Sequence, residues 1–446
     1  MVHRSAVYKT ALGTAIAGCV YFFAPPDLAG PARRMLAILV WVAWLWLTEA
    51  FPIYIVALTV PFLTVVAGVL DQREALAPFF HPVVALLLGG FMLSSAVSKY
   101  GLDRRIARAI VSRVGNRPLS VMLGVMGTTA FLSMWLSNTA TTAIMVAIVA
   151  PLVASLPEGD RFRKGLLLSV PFSANVGGIG TPVGSTPNPM AISYLADRGV
   201  DIGFVDWMVI SIPLQIIYLL LIAAVIYGLF RPKARELPVE IPASGRPSPR
   251  EWAVLGIGGL TVALWLTGRI HGIPDGIVAL VPAVLLLGGG LLGTRDFRSI
   301  QWDVLVLIGG GLSLGVGMRE SGLSAHIVER LAFSGLGPTG ALLIFLSLTV
   351  LLTTFMSNTA TAALLIPVVG GAGRGLGLEA LLVIGVGVAA SLAMALPVST
   401  PPNAIAYGHG GIKVKEMALA GGLITAVSVL LTSLLGPVWW GFLGYG

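Results

Sequence analysis

Two stretches of this sequence are too long and too apolar to cross a bilayer once, and each is interrupted near its middle by the same three polar residues. Residues 119–155 contain Ser137-Asn138-Thr139, and residues 338–372 contain Ser357-Asn358-Thr359. A spanning helix needs ~20 mostly apolar residues. Backbone left unpaired in hydrocarbon is very costly, so a break at that depth must be buried in protein or line a cavity. The pattern therefore predicts a polytopic membrane protein with two re-entrant hairpins whose tips are the Ser-Asn-Thr triplets.

The rest of the chain agrees. Of its 446 residues 56% are hydrophobic and 11% charged, against about a quarter charged in soluble domains. Besides the two long runs there are apolar runs at 10–24, 35–48, 51–70, 82–98, 165–196, 207–230, 252–268, 274–292, 303–318, 378–408 and 416–443. These predict about 11 transmembrane helices in an all-α fold. The runs are continuous, whereas a membrane β-barrel needs short alternating strands. Arg4 and Lys9 ahead of 10–24 superficially resemble a signal peptide, but the topology needs this segment as a retained first span. Cys19 is the only cysteine, which excludes a disulfide framework or a thiolate metal site. His3, His81, His271, His326 and His409 are scattered without metal-ligand spacing; His409 reads as a packing or interface histidine. Trp41, Trp46, Trp302, Trp439 and Trp440 stand near run ends, where they read as interfacial anchors or packing residues.

The halves repeat. Gly89-Gly90 and Gly309-Gly310, like the two triplets, are offset by 220 (89 to 309, 137 to 357). Thr186-Pro187-Asn188 matches Pro401-Pro402-Asn403 at an offset of 215 (188 to 403). Each half also has an amphipathic segment suited to the membrane interface: 99–117, with Ile106, Ile110 and Val114 among arginines, and 322–334, with Ile327, Val328 and Leu331. Residues 231–250, rich in Pro, Arg and Glu, read as the linker between halves.

Charge orients the chain. With both long runs as hairpins and the N-terminus cytoplasmic, 20 of the 28 basic residues fall in inside loops. Two full crossings would put the basic linker outside, against the positive-inside rule. The net charge of +8 is thereby assigned to orientation rather than to nucleic acid. Five spans separate the hairpins, so the second enters from the opposite face and the repeat is inverted. The C-terminus is expected outside the cell, in a plasma (inner) membrane.

At each tip one helix ends, offering carbonyls, and another begins, offering N–H groups and a partial positive charge. The first suits a cation and the second an anion. Ser and Asn add oxygens for a hard cation, and the Asn amide can donate to an anion. The Gly/Pro-rich segments 175–189 and 397–403 predict unwound loops facing the tips, with hydroxyls from Ser185, Thr186 and Thr400. None of the four breaks carries an acid or base, which argues against a carboxylate proton relay. The sequence also lacks the Ser/His, Asp/Asp or His-x-x-x-His constellation an intramembrane hydrolase needs, so no enzyme is expected. A channel would need a continuous polar pore.

Paired Ser-Asn-Thr motifs, Pro-Asn loops and the segment LPVSTPPNAIAYG resemble the divalent anion/sodium symporter family, over about residues 75 to 440. The first loop departs from that pattern in carrying Thr186 where the family often has proline. The resemblance implies a homodimer in membrane lipid, an elevator mechanism and sodium ions as coupling ions. It implies a first sodium site from Ser133, Ser137, Asn138 and Gly184, and a second from Thr353, Ser357, Asn358 and Ser399. Around the anion it places Ser137, Asn138, Thr139, Ser185, Thr186, Pro187, Ser357, Asn358, Thr359, Thr400 and Pro401. The expected division is a scaffold part, 1–118, with the interfacial helix; a first transport repeat, 119–230; a cytoplasmic linker, 231–250; a second scaffold part, 251–337; and a second transport repeat, 338–446. Sodium-coupled symport of a C4-dicarboxylate such as succinate, malate or fumarate leads. A sodium-independent dicarboxylate exchanger and a sulfate or citrate carrier stay open.

Overall fold

The computed structural model describes residues 4–237, 245–330 and 337–446. Among these residues every regular element is helical: α1 (Arg4–Phe23), α2 (Gly30–Thr48), α3 (Ile53–Val66), α4 (Gln72–Leu76), α5 (Pro82–Lys99), α6 (Leu102–Val111), α7 (Pro118–Ser133), α8 (Asn138–Ser155), α9 (Phe162–Gly177), α10 (Pro187–Ala196), α11 (Phe204–Leu229) and α12 (Pro249–Leu266). The short α13 (Gly268–His271), α14 (Asp275–Val278), α15 (Leu280–Gly288) and α16 (Thr294–Arg298) follow. The chain then continues through α17 (Trp302–Glu320), α18 (Leu323–Arg330), α19 (Pro338–Phe355), α20 (Asn358–Leu376), α21 (Glu379–Ala389), α22 (Pro401–Gly408) and α23 (Val414–Phe442). Nine helices among the described residues are long and apolar enough to cross a membrane by themselves, and α8, α19 and α20 of these are hairpin arms. With α7–α8 and α19–α20 as hairpins and α9–α10, α14–α15 and α21–α22 each as one interrupted crossing, the eleven expected crossings are present.

Proline sets many of the helix starts. Pro82, Pro118, Pro187, Pro249, Pro338 and Pro401 each open a helix, where a missing N–H costs nothing and φ is already helical. The interrupted helices are the centre of the molecule: α9 is buried from Gly165 to Gly177 and α21 from Leu381 to Ala389. The repeated glycine pairs are close-approach points. A Cβ on Gly89 would stand 1.9 Å from the Ala279 carbonyl oxygen, and one on Gly310 would stand 2.6 Å from that of Ala57. Only glycine lets α5 and α17 lie so near their neighbours.

Two ion pairs tie one repeat to the other at opposite ends of the interrupted helices. Lys164, in the first turn of α9, meets Glu416 at the start of α23 at 2.7 Å. Glu379, the first residue of α21, meets Arg198 just beyond α10 at 2.7 Å. The same kind of clamp recurs with its charges exchanged. Elsewhere, the His81 ring accepts from Val83 N–H to cap α5 and lies 3.5 Å from Asp197 beyond α10. That contact holds the Asp197 carboxyl below its ordinary range.

Several expectations shift in detail. Helix α6 forms within the predicted segment; it buries Ala107 and Val111 in the core shared with the first hairpin and Leu102 in a second core with Met92, Val254 and Leu286, leaving Ile106 half-buried and Ile110 exposed. Of the predicted stripe, Ile106 packs on the main core and Val114 lies against Gly124 of α7, and only Ile110 points outward. Helix α18 covers Leu323–Arg330; the Val328 side chain and Leu331 onward to 334 lie outside the described residues, as do His3 and residues 238–244 of the linker. Trp46 and Trp440 are fully buried core residues, each donating its indole N–H to a carbonyl, those of Ile53 and Ile210. Trp41 and Trp439 are partly exposed and Trp302 is exposed. His409 is exposed, on a cleft with Arg161, Arg163 and Lys164. The first run forms α1 and packs on α2, with Lys9 Nζ donating to the Thr48 carbonyl at 2.7 Å.

Candidate functional site

Both hairpins break in the same way. Ser137 has extended backbone (φ −60°, ψ 140°) and its hydroxyl accepts from Ala140 N–H at 3.2 Å. Ser357 repeats this (φ −64°, ψ 146°), accepting from Ala360 N–H at 3.2 Å. The serines are therefore N-caps, and the residues that follow them, Asn138 and Asn358, open α8 and α20 toward the centre.

The asparagines meet a second layer of oxygens. The Ser133 hydroxyl lies 2.6 Å from Asn138 Oδ1 and 2.8 Å from the Ala174 carbonyl. The Thr353 hydroxyl lies 2.9 Å from both Asn358 Oδ1 and the Ala390 carbonyl. A hydroxyl has one proton to donate, so each trio holds more acceptor capacity than donor. In the first repeat a pair of glycines widens the cluster. A Cβ on Gly178 would fall 2.5 Å from Asn138 Oδ1 and 2.9 Å from the Gly184 carbonyl. A Cβ on Gly184 would fall 2.6 Å from the Gly178 carbonyl and 3.0 Å from those of Ser133 and Met134. The donors are neutral oxygens throughout, the chemistry preferred by a hard cation. Among the described residues no group of three or more His, Cys, Asp or Glu is arranged for a metal.

The interrupted helices supply the rest. Thr400 has extended backbone and caps α22, its hydroxyl accepting from Asn403 N–H at 3.3 Å. Thr186 precedes α10 but spends its hydroxyl on that of Thr359, across the repeats. Asn188 and Asn403 fasten their loops from behind. The Asn188 amide donates to the carbonyls of Gly178 and Thr181, both at 2.8 Å, and that of Asn403 to Ala393 and Leu396 at 3.3 and 3.0 Å.

Together these breaks wall one side of a cavity of about 260 Å³. Ser137, Asn138, Thr139, Gly184, Ser185, Thr186, Ser357, Asn358, Thr359, Ser399, Thr400 and Pro401 all line it. The opposite wall is Ile53 of α3, Gly90, Phe91 and Ser94 of α5, and Gln301 and Val304 at the start of α17. No ionisable side chain is in the lining. Four helix N-termini, those of α8, α10, α20 and α22, meet here instead, each an anion-attracting end worth about 0.3–2 kcal/mol. Three predicted residues are not on the wall: Pro187 is buried as the first residue of α10, and Ser133 and Thr353 lie beneath the tips, fully buried. Pro187 fixes the start of α10 rather than facing the cavity, because the residue at the helix edge is Thr186.

Sequence reasoning passed over Asn175 and Ser391. Asn175 is fully buried, lines the cavity, and donates from Nδ2 toward Thr400 Oγ1 and Asn403 Oδ1, both at 3.3 Å. Ser391 Oγ lies 2.9 Å from Ser185 Oγ. The available signal was a lone amide inside an apolar helix, in PFSANVGG.

The chain matches the family described as the sodium:sulfate symporter transmembrane region over residues 4–445. It is 34% identical over 429 residues to a transporter of Haemophilus influenzae, with 92% of each chain covered. It is 31% identical over 451 residues to the sodium-dependent dicarboxylate transporter SdcS of Staphylococcus saprophyticus, covering 93% of this chain and 87% of that one. The SdcS protein of Staphylococcus aureus USA300 is likewise 31% identical over 451 residues, with 92% and 87% covered. In fold the chain is similar to the YdaH transporter of Alcanivorax borkumensis, at a TM-score of 0.62 and 15% identity over 93% of this chain and 99% of that one. It is also similar to MtrF of Neisseria gonorrhoeae, at 0.57 and 12% over 95% and 97%. An inverted repeat with paired hairpin tips, and a family match along nearly the whole chain, lead to one conclusion: this protein is a transporter, not an enzyme, and belongs to the sodium:sulfate symporter family, also called the divalent anion/sodium symporters.

Proposed function

We propose that the protein imports a small C4-dicarboxylate together with sodium ions. The observation that carries this reading is the pairing of two kinds of polar surface at each hairpin tip. The ends of α8, α10, α20 and α22 and the two Asn amides offer N–H groups to a dianion. The oxygen clusters at Ser133–Asn138–Ala174 and Thr353–Asn358–Ala390 have acceptor capacity to spare for sodium. Asn138 and Asn358 belong to both surfaces, so cation and anion share a wall. The staphylococcal relatives are named as sodium-dependent dicarboxylate transporters, which supports a dicarboxylate as cargo and sodium as the ion. The first sodium site takes Ser133, Ser137, Asn138 and Gly184; the second takes Thr353, Ser357, Asn358 and Ser399. In the first repeat the Gly178–Gly184 cradle fits such an ion without a charged ligand.

The proposed motion follows from which wall carries the site. Every polar residue assigned to cargo belongs to the two hairpins and interrupted helices, whereas the facing wall of α3, α5 and α17 is mostly apolar. Hairpins, α9–α11 and α21–α23 then slide as one body against a scaffold of α1–α6 and α12–α18, paired in a homodimer. In the orientation given by the basic loops, Ile53, Ser94 and Gln301 lie toward the cytoplasm, so the cavity sits against the cytoplasmic half of the scaffold. The C-terminus then faces outward across a plasma membrane.

Uptake of labelled succinate into proteoliposomes, with and without a sodium gradient, tests the proposal. Accumulation only with inward sodium, inhibited by malate and fumarate, is expected. Uptake driven equally by internal succinate without sodium would make the protein an exchanger. Competition by sulfate or citrate, with none by malate, would move it to another substrate class.

A further inference from the structure

The hydrogen bonds behind the cavity cross between repeats. From the first tip, Asn138 Oδ1 is 2.6 Å from Ser133 Oγ, which is 2.8 Å from the carbonyl of Ala174. The next residue, Asn175, reaches the second repeat's loop at Thr400 and Asn403. From the second tip, Asn358 Oδ1 is 2.9 Å from Thr353 Oγ1, which is 2.9 Å from the carbonyl of Ala390. The next residue, Ser391, reaches the first repeat's loop at Ser185. Both chains of contacts pass through the end of an interrupted helix and finish on a hydroxyl of the opposite repeat, and both hydroxyls face the cavity.

The direction of the Asn175 bond is fixed by its neighbours. Asn403 Nδ2 donates to two carbonyls, which only accept. Asn403 Oδ1 therefore faces Asn175 and needs a donor, and only Nδ2 of Asn175 can serve. Asn175 Oδ1 is left buried with no partner. An amide that stays in this position with half of its capacity unused is held there by the two bonds to the second loop. Packing alone would favour an apolar side chain, and burying an unpaired polar atom is costly.

We propose that Asn175 and Ser391 are positioning residues that couple each hairpin tip to the loop of the opposite repeat. A cation drawn to the Asn138 cluster fixes Ser133 and the end of α9, and through Asn175 it fixes the Thr400 hydroxyl offered to the anion. The second repeat does the same through Ser391 and Ser185. The coupling between sodium and anion is then carried across the pseudo-symmetry axis, in two parallel contacts. This inference rests on the sodium-coupled reading above.

The test is calorimetric titration of succinate into the purified full chain at low and high sodium. The ratio of the two affinities is the coupling factor, and it must be reciprocal between the ligands. Asn175→Ala and Ser391→Ala should each reduce that factor at least threefold, whereas Ser391→Thr, which keeps a hydroxyl, should stay within twofold of wild type. Should Asn175→Ala fail to fold, Asn175→Ser replaces it and is held to the same threshold. Affinities that fall by the same ratio at both sodium concentrations would leave the factor intact and reduce these residues to ordinary packing. A wild-type factor of one would overturn the sodium-coupled reading itself, and this inference with it. A wild-type factor above one that the variants retain would overturn this inference alone.

Discussion

At the scale of single residues, the site is a demonstration of what neutral groups can do when the helices that carry them are fixed. Asn138 and Asn358 accept from a buried hydroxyl while opening a helix toward the cavity. The Ser133 and Thr353 hydroxyls keep their carbonyl acceptors when either asparagine becomes alanine, so what is lost in the proposed reading is a polar contact to charged cargo, about 1–3 kcal/mol. At 1.4 kcal/mol per tenfold, each substitution should cut the rate of succinate uptake by about five- to a hundredfold while the protein still elutes as a single folded species in size-exclusion chromatography. Uptake at the wild-type rate, with unchanged sodium dependence, would reduce the triplets to helix caps. Gly178→Ala is a sharper probe of the cation cradle, because its methyl would stand 2.5 Å from Asn138 Oδ1. It should raise the half-saturating sodium concentration more than it raises the KM for succinate, measured by uptake at graded sodium.

At the scale of elements, the tips and the glycine pairs make separable predictions. Ser137→Ala and Ser357→Ala each lose an N-cap, worth about 1 kcal/mol, and should lower the melting temperature slightly and by similar amounts. Gly89→Ala and Gly310→Ala force a methyl against the Ala279 and Ala57 carbonyls. Overpacking of this kind costs about 1–3 kcal/mol, so both should melt lower than the cap variants in a thermal denaturation series. Much of this level was legible in the sequence. The hairpins, the interrupted helices and the two-fold repetition follow from apolar runs punctuated at matching places, since lipid leaves the backbone few alternatives. The serine caps and the loop threonines follow from local chemistry. What local pattern does not encode is which neighbour an element meets. Helix α6 buries Ala107 and Val111 against the first hairpin and Leu102 in a separate core with Val254 and Leu286, and leaves Ile110 of its isoleucine stripe exposed. Pro187, which the resemblance placed beside the anion, is instead the buried first residue of α10 and is absent from the cavity lining. Asn175 and Ser391 escaped notice because their partners are more than two hundred residues distant.

At the scale of the whole molecule, orientation and thermodynamic linkage are open to direct measurement. Cys19 is exposed and must first be replaced by serine. In that background, cysteines placed in the linker at 231–237 should resist an impermeant thiol reagent added outside intact cells, whereas one at Gly446 should react; the reverse pattern would invert the proposed topology. With helix ends rather than arginines holding the anion, succinate affinity should fall between micromolar and millimolar, roughly −8 to −4 kcal/mol, and isothermal titration reads it directly. The two clamps between the repeats have a mechanical consequence. Lys164 meets Glu416, and Glu379 meets Arg198. They stand at opposite ends of the interrupted helices, so any sliding of one repeat along the other would part both pairs at once. They act as two dowels through one joint, and a load applied at either hairpin is carried by both halves together.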